Sequence, residues 1–62
     1  MTSSKYVICD TTKPDAYLRR LDGESYWGPL NEATVTGMRV YGIRLCDYLK
    51  LDPRRFKVVK IS

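Results

Sequence analysis

Apolar and polar residues group along this chain into short runs separated by turn-forming residues. Lys5–Cys9 (KYVIC) is β-branched and aromatic enough for a strand, and Ala16–Leu21 (AYLRRL), Glu24–Trp27 (ESYW) and Phe56–Ile61 (FKVVKI) read as three more. Asp22-Gly23 separates the second run from the third. Both central positions of a type I′ turn need positive φ, which Gly and Asp tolerate best, so this dipeptide predicts a two-residue hairpin. That loop pairs Leu21 with Glu24, Arg20 with Ser25, Arg19 with Tyr26 and Leu18 with Trp27. Leu18, Trp27 and Ala16 then share one face, expected to meet a helix, with Trp27 mostly buried. Tyr17, Arg19 and Tyr26 share the other face, joined by Tyr6 or Val7 according to the register of the first strand.

Asp10–Asp15 (DTTKPD) reads as a loop, because Pro14 cannot donate to a ladder and Asp and Thr favour turns. Gly28-Pro29 closes the hairpin, and Pro29 suits the first position of a short helical turn over LNEA. Thr34-Val35-Thr36 is β-branched and briefly extended. A helix follows from about Gly37 to Lys50, with Thr36 as its N-cap and Pro53 as its stop. Met38, Tyr41, Gly42, Leu45, Tyr48 and Leu49 form the stripe expected to face the sheet. Gly42 lies within it, and an interior glycine costs about 1 kcal/mol relative to alanine, so close packing is the expected reason for it. The last strand is expected to pair with the first. The predicted fold class is α+β, in the order β-β-β-α-β. It is a mostly antiparallel sheet of three or four strands with one helix on one face, in a single domain over 1–62 with residues 1–4 as a flexible N-terminus.

The charges add a second layer. The net charge is +4, yet residues 1–32 hold four Lys or Arg against five Asp or Glu, whereas residues 33–62 hold seven against two. A basic half attracts phosphate or an acidic protein surface. On the helix, Val40 and Ile43 fall away from the core stripe, near Asp47, with Arg39, Arg44 and Lys50 around them. Branched apolar residues on a wet face make this the first candidate surface for binding a partner. The Tyr17, Arg19 and Tyr26 face is the alternative. Arg54, Arg55, Lys57 and Lys60 form a third candidate, for RNA or single-stranded DNA, in which exposed sheet tyrosines stack on unpaired bases while cations hold phosphates.

Candidate chemistry is sparse. The chain has no histidine, the usual base beside a nucleophile. Its four glycines make no phosphate-binding pattern, and no spacing holds two of its seven carboxylates together on one element. Cys9 and Cys46 are the two cysteines, too few without histidine for a zinc site, and are expected to be reduced and buried. The expectation is a non-catalytic binding module with no metal, cofactor or small-molecule substrate. Met1–Lys5 carries no apolar leader and no run spans a bilayer, so a cytoplasmic location is expected and no membrane partner.

The string KYVI, YLRR, the Asp-Gly turn, Trp27, LNEAT, a helix and VVKI resembles a class of small, mostly uncharacterised bacterial and phage proteins. The likeness runs from Lys5 to Ile61. It departs at TVTGMRVYG, where many such sequences open the helix with acidic residues and this chain has Arg39 and Gly42. The resemblance implies one helix on one sheet and no activity. It implies a phage or prophage accessory protein that docks on and modulates or inhibits a host protein machine, an anti-CRISPR-like role among the options. An acidic DNA mimic is disfavoured by the basic charge. The expected partner is another protein, acidic in character, or a second copy of the chain.

Overall fold

The structure, a computed structural model, describes residues 4–62. The expectation of a flexible N-terminus at 1–4 lies, for residues 1–3, outside the described residues. Strands β1 (Tyr6–Asp10), β2 (Tyr17–Leu21), β3 (Glu24–Gly28) and β4 (Phe56–Lys60) form one antiparallel sheet in the order β3-β2-β1-β4. A single 3-10 turn, Leu30–Glu32, and helix α1, Arg39–Tyr48, complete the α+β fold. No helix among the described residues is long and apolar enough to cross a membrane.

The hairpin adopts the register that its turn dictates. Asp22 and Gly23 both have positive φ, 52° and 79°, and Leu21–Glu24, Arg20–Ser25, Arg19–Tyr26 and Leu18–Trp27 are directly opposite. β4 lies antiparallel to β1, from Tyr6 opposite Lys60 to Asp10 opposite Phe56. β1 meets β2 with Cys9 opposite Tyr17, and toward Tyr6 the two strands part. Thr34–Thr36 bonds to both there. Thr34 N–H donates to the Leu18 carbonyl and Thr34 Oγ1 accepts from Arg20 N–H, while Thr36 exchanges two backbone bonds of 2.9 Å with Tyr6. The extended segment read from Thr34-Val35-Thr36 thus lies along the free edges of the parted strands.

Those bonds correct the start of the helix. Thr36 is not its N-cap, because its backbone is held in an extended pairing with Tyr6. Met38 takes the cap position without a side-chain bond, and Thr36 Oγ1 donates to its carbonyl. The helix also ends before proline can act on it. Lys50 takes a left-handed φ of 57°, its N–H bonds to the Asp47 carbonyl and that of Leu51 to the Cys46 carbonyl. This is the paired-bond C-terminal motif that glycine usually serves.

Strand alternation places Ile8, Ala16, Leu18, Trp27, Phe56 and Val58 on one face. Val7, Cys9, Tyr17, Arg19 and Tyr26 lie on the other, so Val7 rather than Tyr6 joins the tyrosine face. α1 packs mainly over β1 and β4, and a Cβ at Gly42 would lie only 2.9 Å from Val58 Cγ1. Trp27, on the far edge strand, is therefore not beneath the helix. It is 40% exposed, contrary to the expectation of a mostly buried core residue. Its ring meets that of Phe56, from the opposite edge strand, at 4.9 Å between centroids, across the part of the face the helix leaves open. The core is small: Val7, Ile8, Ala16 and Leu18 are its buried apolar residues among those described.

The inward stripe of α1 is also narrower than periodicity implies. Gly42 is buried and Leu45, Cys46 and Leu49 are half-buried, whereas Met38, Tyr41 and Tyr48 are exposed. A helix approaching the sheet at a glycine centres its contact there, which carries the two tyrosines to its flank. The two cysteines are free and half-buried rather than fully buried. Partial burial, reinforced by the charge of Asp47, pushes the Cys46 thiol pKa upward.

One charged group is fixed in this frame. Asp10, only 5% exposed, ends β1 on the helix face. Arg55 Nε and Nη2 donate to its two oxygens at 3.0 and 2.7 Å, and Thr12 N–H and Oγ1 donate to Oδ1. Arg55 also lies over the Phe56 ring, 5.1 Å from its centroid. The Arg55 hydrogen bonds hold the Asp10 carboxyl well below the usual carboxylate range; burial opposes them, and the Thr12 bonds add to them. A carboxyl with a lowered folded-state pKa contributes stability that is complete above its unfolded value, about 3.9, and is lost as pH falls below that. Thermal melts from neutral to acid pH should therefore show a steep acid limb in the wild type. In Asp10→Asn the midpoint should be lower at neutral pH and the acid limb shallower; parallel acid limbs would rule out this source of acid sensitivity.

Candidate functional site

Three surfaces were expected from the sequence, and the fold treats them differently. The basic set is dispersed. Arg55 is engaged by Asp10, and Arg54 N–H donates to Asp52 Oδ1 in the turn before β4. Lys57 stands opposite Cys9 and Lys60 opposite Tyr6, so the two lysines point to opposite faces of the sheet. Four cations that look clustered in sequence do not converge on one ligand. Strand alternation parts Lys57 from Lys60, and the buried acid Asp10 pairs with Arg55.

The tyrosine face is assembled as expected. Tyr17, Arg19 and Tyr26 line a groove of about 110 Å³ together with Trp27, Gly28, Pro29 and Glu32. Arg19 Nη1 is 3.6 Å from Glu32 Oε1, and the Tyr26 hydroxyl donates to Glu24 Oε2 at 2.6 Å. The bond to Glu24 raises the Tyr26 pKa. Two carboxylates thus accompany the single arginine, and the groove has little net charge to offer a phosphate. Glu32 was not singled out in the sequence; its only signal was its place in the short turn after Pro29.

The helix surface carries a group of exposed apolar side chains. Val40 and Ile43 are 40% and 45% exposed, and Tyr48 is 75% exposed. Met38 and Tyr41 are more than half exposed. Arg39, Arg44 and Lys50 are exposed around them. Only Gly42 of this helix is buried. The sheet covers one narrow strip of this helix, Gly42 with half-buried Leu45 and Cys46, and its exposed sides mix apolar residues with Arg39, Arg44 and Asp47. The tyrosine flank was missed in the sequence, where Tyr41 and Tyr48 were read as core because period alone cannot locate the centre of contact.

The molecule belongs by architecture to the α+β domains, one helix on a four-stranded antiparallel sheet. No family model, curated protein or solved structure matches the chain.

Proposed function

We propose that this chain is a non-catalytic protein-binding module whose docking element is the outer surface of α1. The observation that carries the reading is the exposure of Val40, Tyr41, Ile43 and Tyr48 on a helix with only one buried residue. Burying a branched apolar side chain contributes about 1.5–3 kcal/mol, and Tyr and Arg are the side chains that most often dominate interface energetics. Arg44 and Lys50 beside the apolar surface favour a partner with acidic groups at its rim. With the likeness to small phage proteins, this becomes an accessory factor working in the host cytoplasm, docked on a host protein machine and modulating or inhibiting it. RNA or single-stranded DNA binding is the lesser reading, because Arg55 is engaged, Lys57 and Lys60 diverge, and Glu24 and Glu32 stand among the tyrosines.

The test is capture from host lysate by wild type and by Val40→Ser/Ile43→Ser, each with and without nuclease. The expected result is a nuclease-resistant partner that the folded double variant no longer retains. Capture abolished by nuclease, with binding that falls steeply with salt as released counterions require, would replace this reading with the nucleic-acid one. A double variant that does not fold would return both residues to the core.

A further inference from the structure

Arg39, Ile43 and Asp47 stand four residues apart along α1, and all three are exposed. At about 100° per residue they form a single ridge inclined across the outer side of the helix, with Val40 beside its centre. Among the described residues neither Arg39 nor Asp47 belongs to an ion pair. They are roughly 12 Å apart along the axis, by the rise of ~1.5 Å per residue, too far to pair with each other.

Their placement runs against the helix that carries them. A helix favours acidic residues in its first turn and basic residues in its last. Here Arg39 is the first helical residue and Asp47 the last but one, with no acid in the first turn and no base in the last. Each charge is at the end where the helix dipole disfavours it, so the helix itself gives no reason for either.

A two-fold axis supplies one. The ridge reads positive, apolar, negative, and a half-turn about Ile43 exchanges its ends. Two such helices packed antiparallel bring Arg39 of each copy opposite Asp47 of the other, with the two Ile43 side chains meeting at the axis and Val40 filling beside them. Each helix end then receives from the other copy the charge its dipole favours. Ridges of residues four apart interdigitate in the commonest class of helix packing, and a patch complementary to itself is what a closed two-fold dimer requires. A uniformly acidic partner would satisfy Arg39 and repel Asp47.

We propose that the Arg39–Ile43–Asp47 ridge is occupied by a second copy of the chain in a two-fold, antiparallel α1–α1 dimer. This rests on the reading of α1 as the docking element.

Sedimentation equilibrium over a wide range of concentration tests it. The wild type should dimerise, and Ile43→Glu should be monomeric. Arg39→Asp and Asp47→Arg alone should each weaken the dimer by about tenfold or more, since like charges then face each other. The exchange Arg39→Asp/Asp47→Arg should restore it. Both single changes suit the helix dipole, so circular dichroism should show a fold at least as stable as the wild type, and a lost dimer cannot be ascribed to unfolding. A chain monomeric at every concentration, a dimer indifferent to the single changes, or single losses that the exchange does not recover would each overturn the proposal. If the chain stays monomeric while Val40→Ser/Ile43→Ser still loses a captured partner, the second copy is wrong and the docking reading stands.

Discussion

Leu18→Ala should bring this domain to the edge of unfolding, and should cost more than Trp27→Ala although tryptophan is the larger side chain. The two residues are cross-strand partners on the same face, yet Leu18 is 1% exposed and Trp27 40%. Truncating a buried leucine costs about 2–5 kcal/mol, because the cavity it leaves adds to the lost transfer energy. A chain of 62 residues is expected to have roughly 3–9 kcal/mol in all, at ~0.05–0.15 kcal/mol per residue. Trp27 lies on an edge strand outside the helix footprint and rests on one ring, so its removal should cost about 1–3 kcal/mol. Urea melts of the two variants decide the matter. A lower midpoint for Trp27→Ala would place the main core under the tryptophan instead of under α1.

Gly42→Ala should destabilise the wild type and stabilise a Val58→Ala background. Two effects of similar size oppose each other at this position. Alanine favours the helix by up to about 1 kcal/mol over glycine. The added Cβ, however, would be 2.9 Å from Val58 Cγ1 and 3.2 Å from Cγ2. Val58 is β-branched and set in a strand, so it has little rotamer freedom with which to yield. Overpacking of this kind costs about 1–3 kcal/mol, which outweighs the helix propensity for a net loss of up to roughly 2 kcal/mol. With Val58→Ala both obstructing methyl groups are gone and only the propensity gain remains. The double-mutant cycle reads this as a change of sign. If Gly42→Ala stabilises both backgrounds, α1 does not approach β4 as closely as described.

Local chemistry determined much of this molecule. Asp22-Gly23 dictated the hairpin and the pairing of its strands, because only certain residues accept positive φ at both turn positions. β-branched runs marked the first and last strands, the Asp-Gly turn marked the two between them, and the interior Gly42 foretold a close approach of helix and sheet. Both the Tyr17, Arg19 and Tyr26 face and the outward direction of Val40 and Ile43 followed from counting residues along a strand and a helix. What residue period cannot supply is the position of one element over another. That position left Trp27 half-exposed at the sheet edge and turned Tyr41 and Tyr48 outward. Pairing across the sheet joined Arg55 to Asp10, 45 residues away, and so committed a cation to a buried carboxylate. Tyr6, bonded to Thr36, set where the helix could begin. Each of these depends on contacts between residues distant in sequence, formed only when the sheet and helix close on each other, and no window of neighbouring residues contains them.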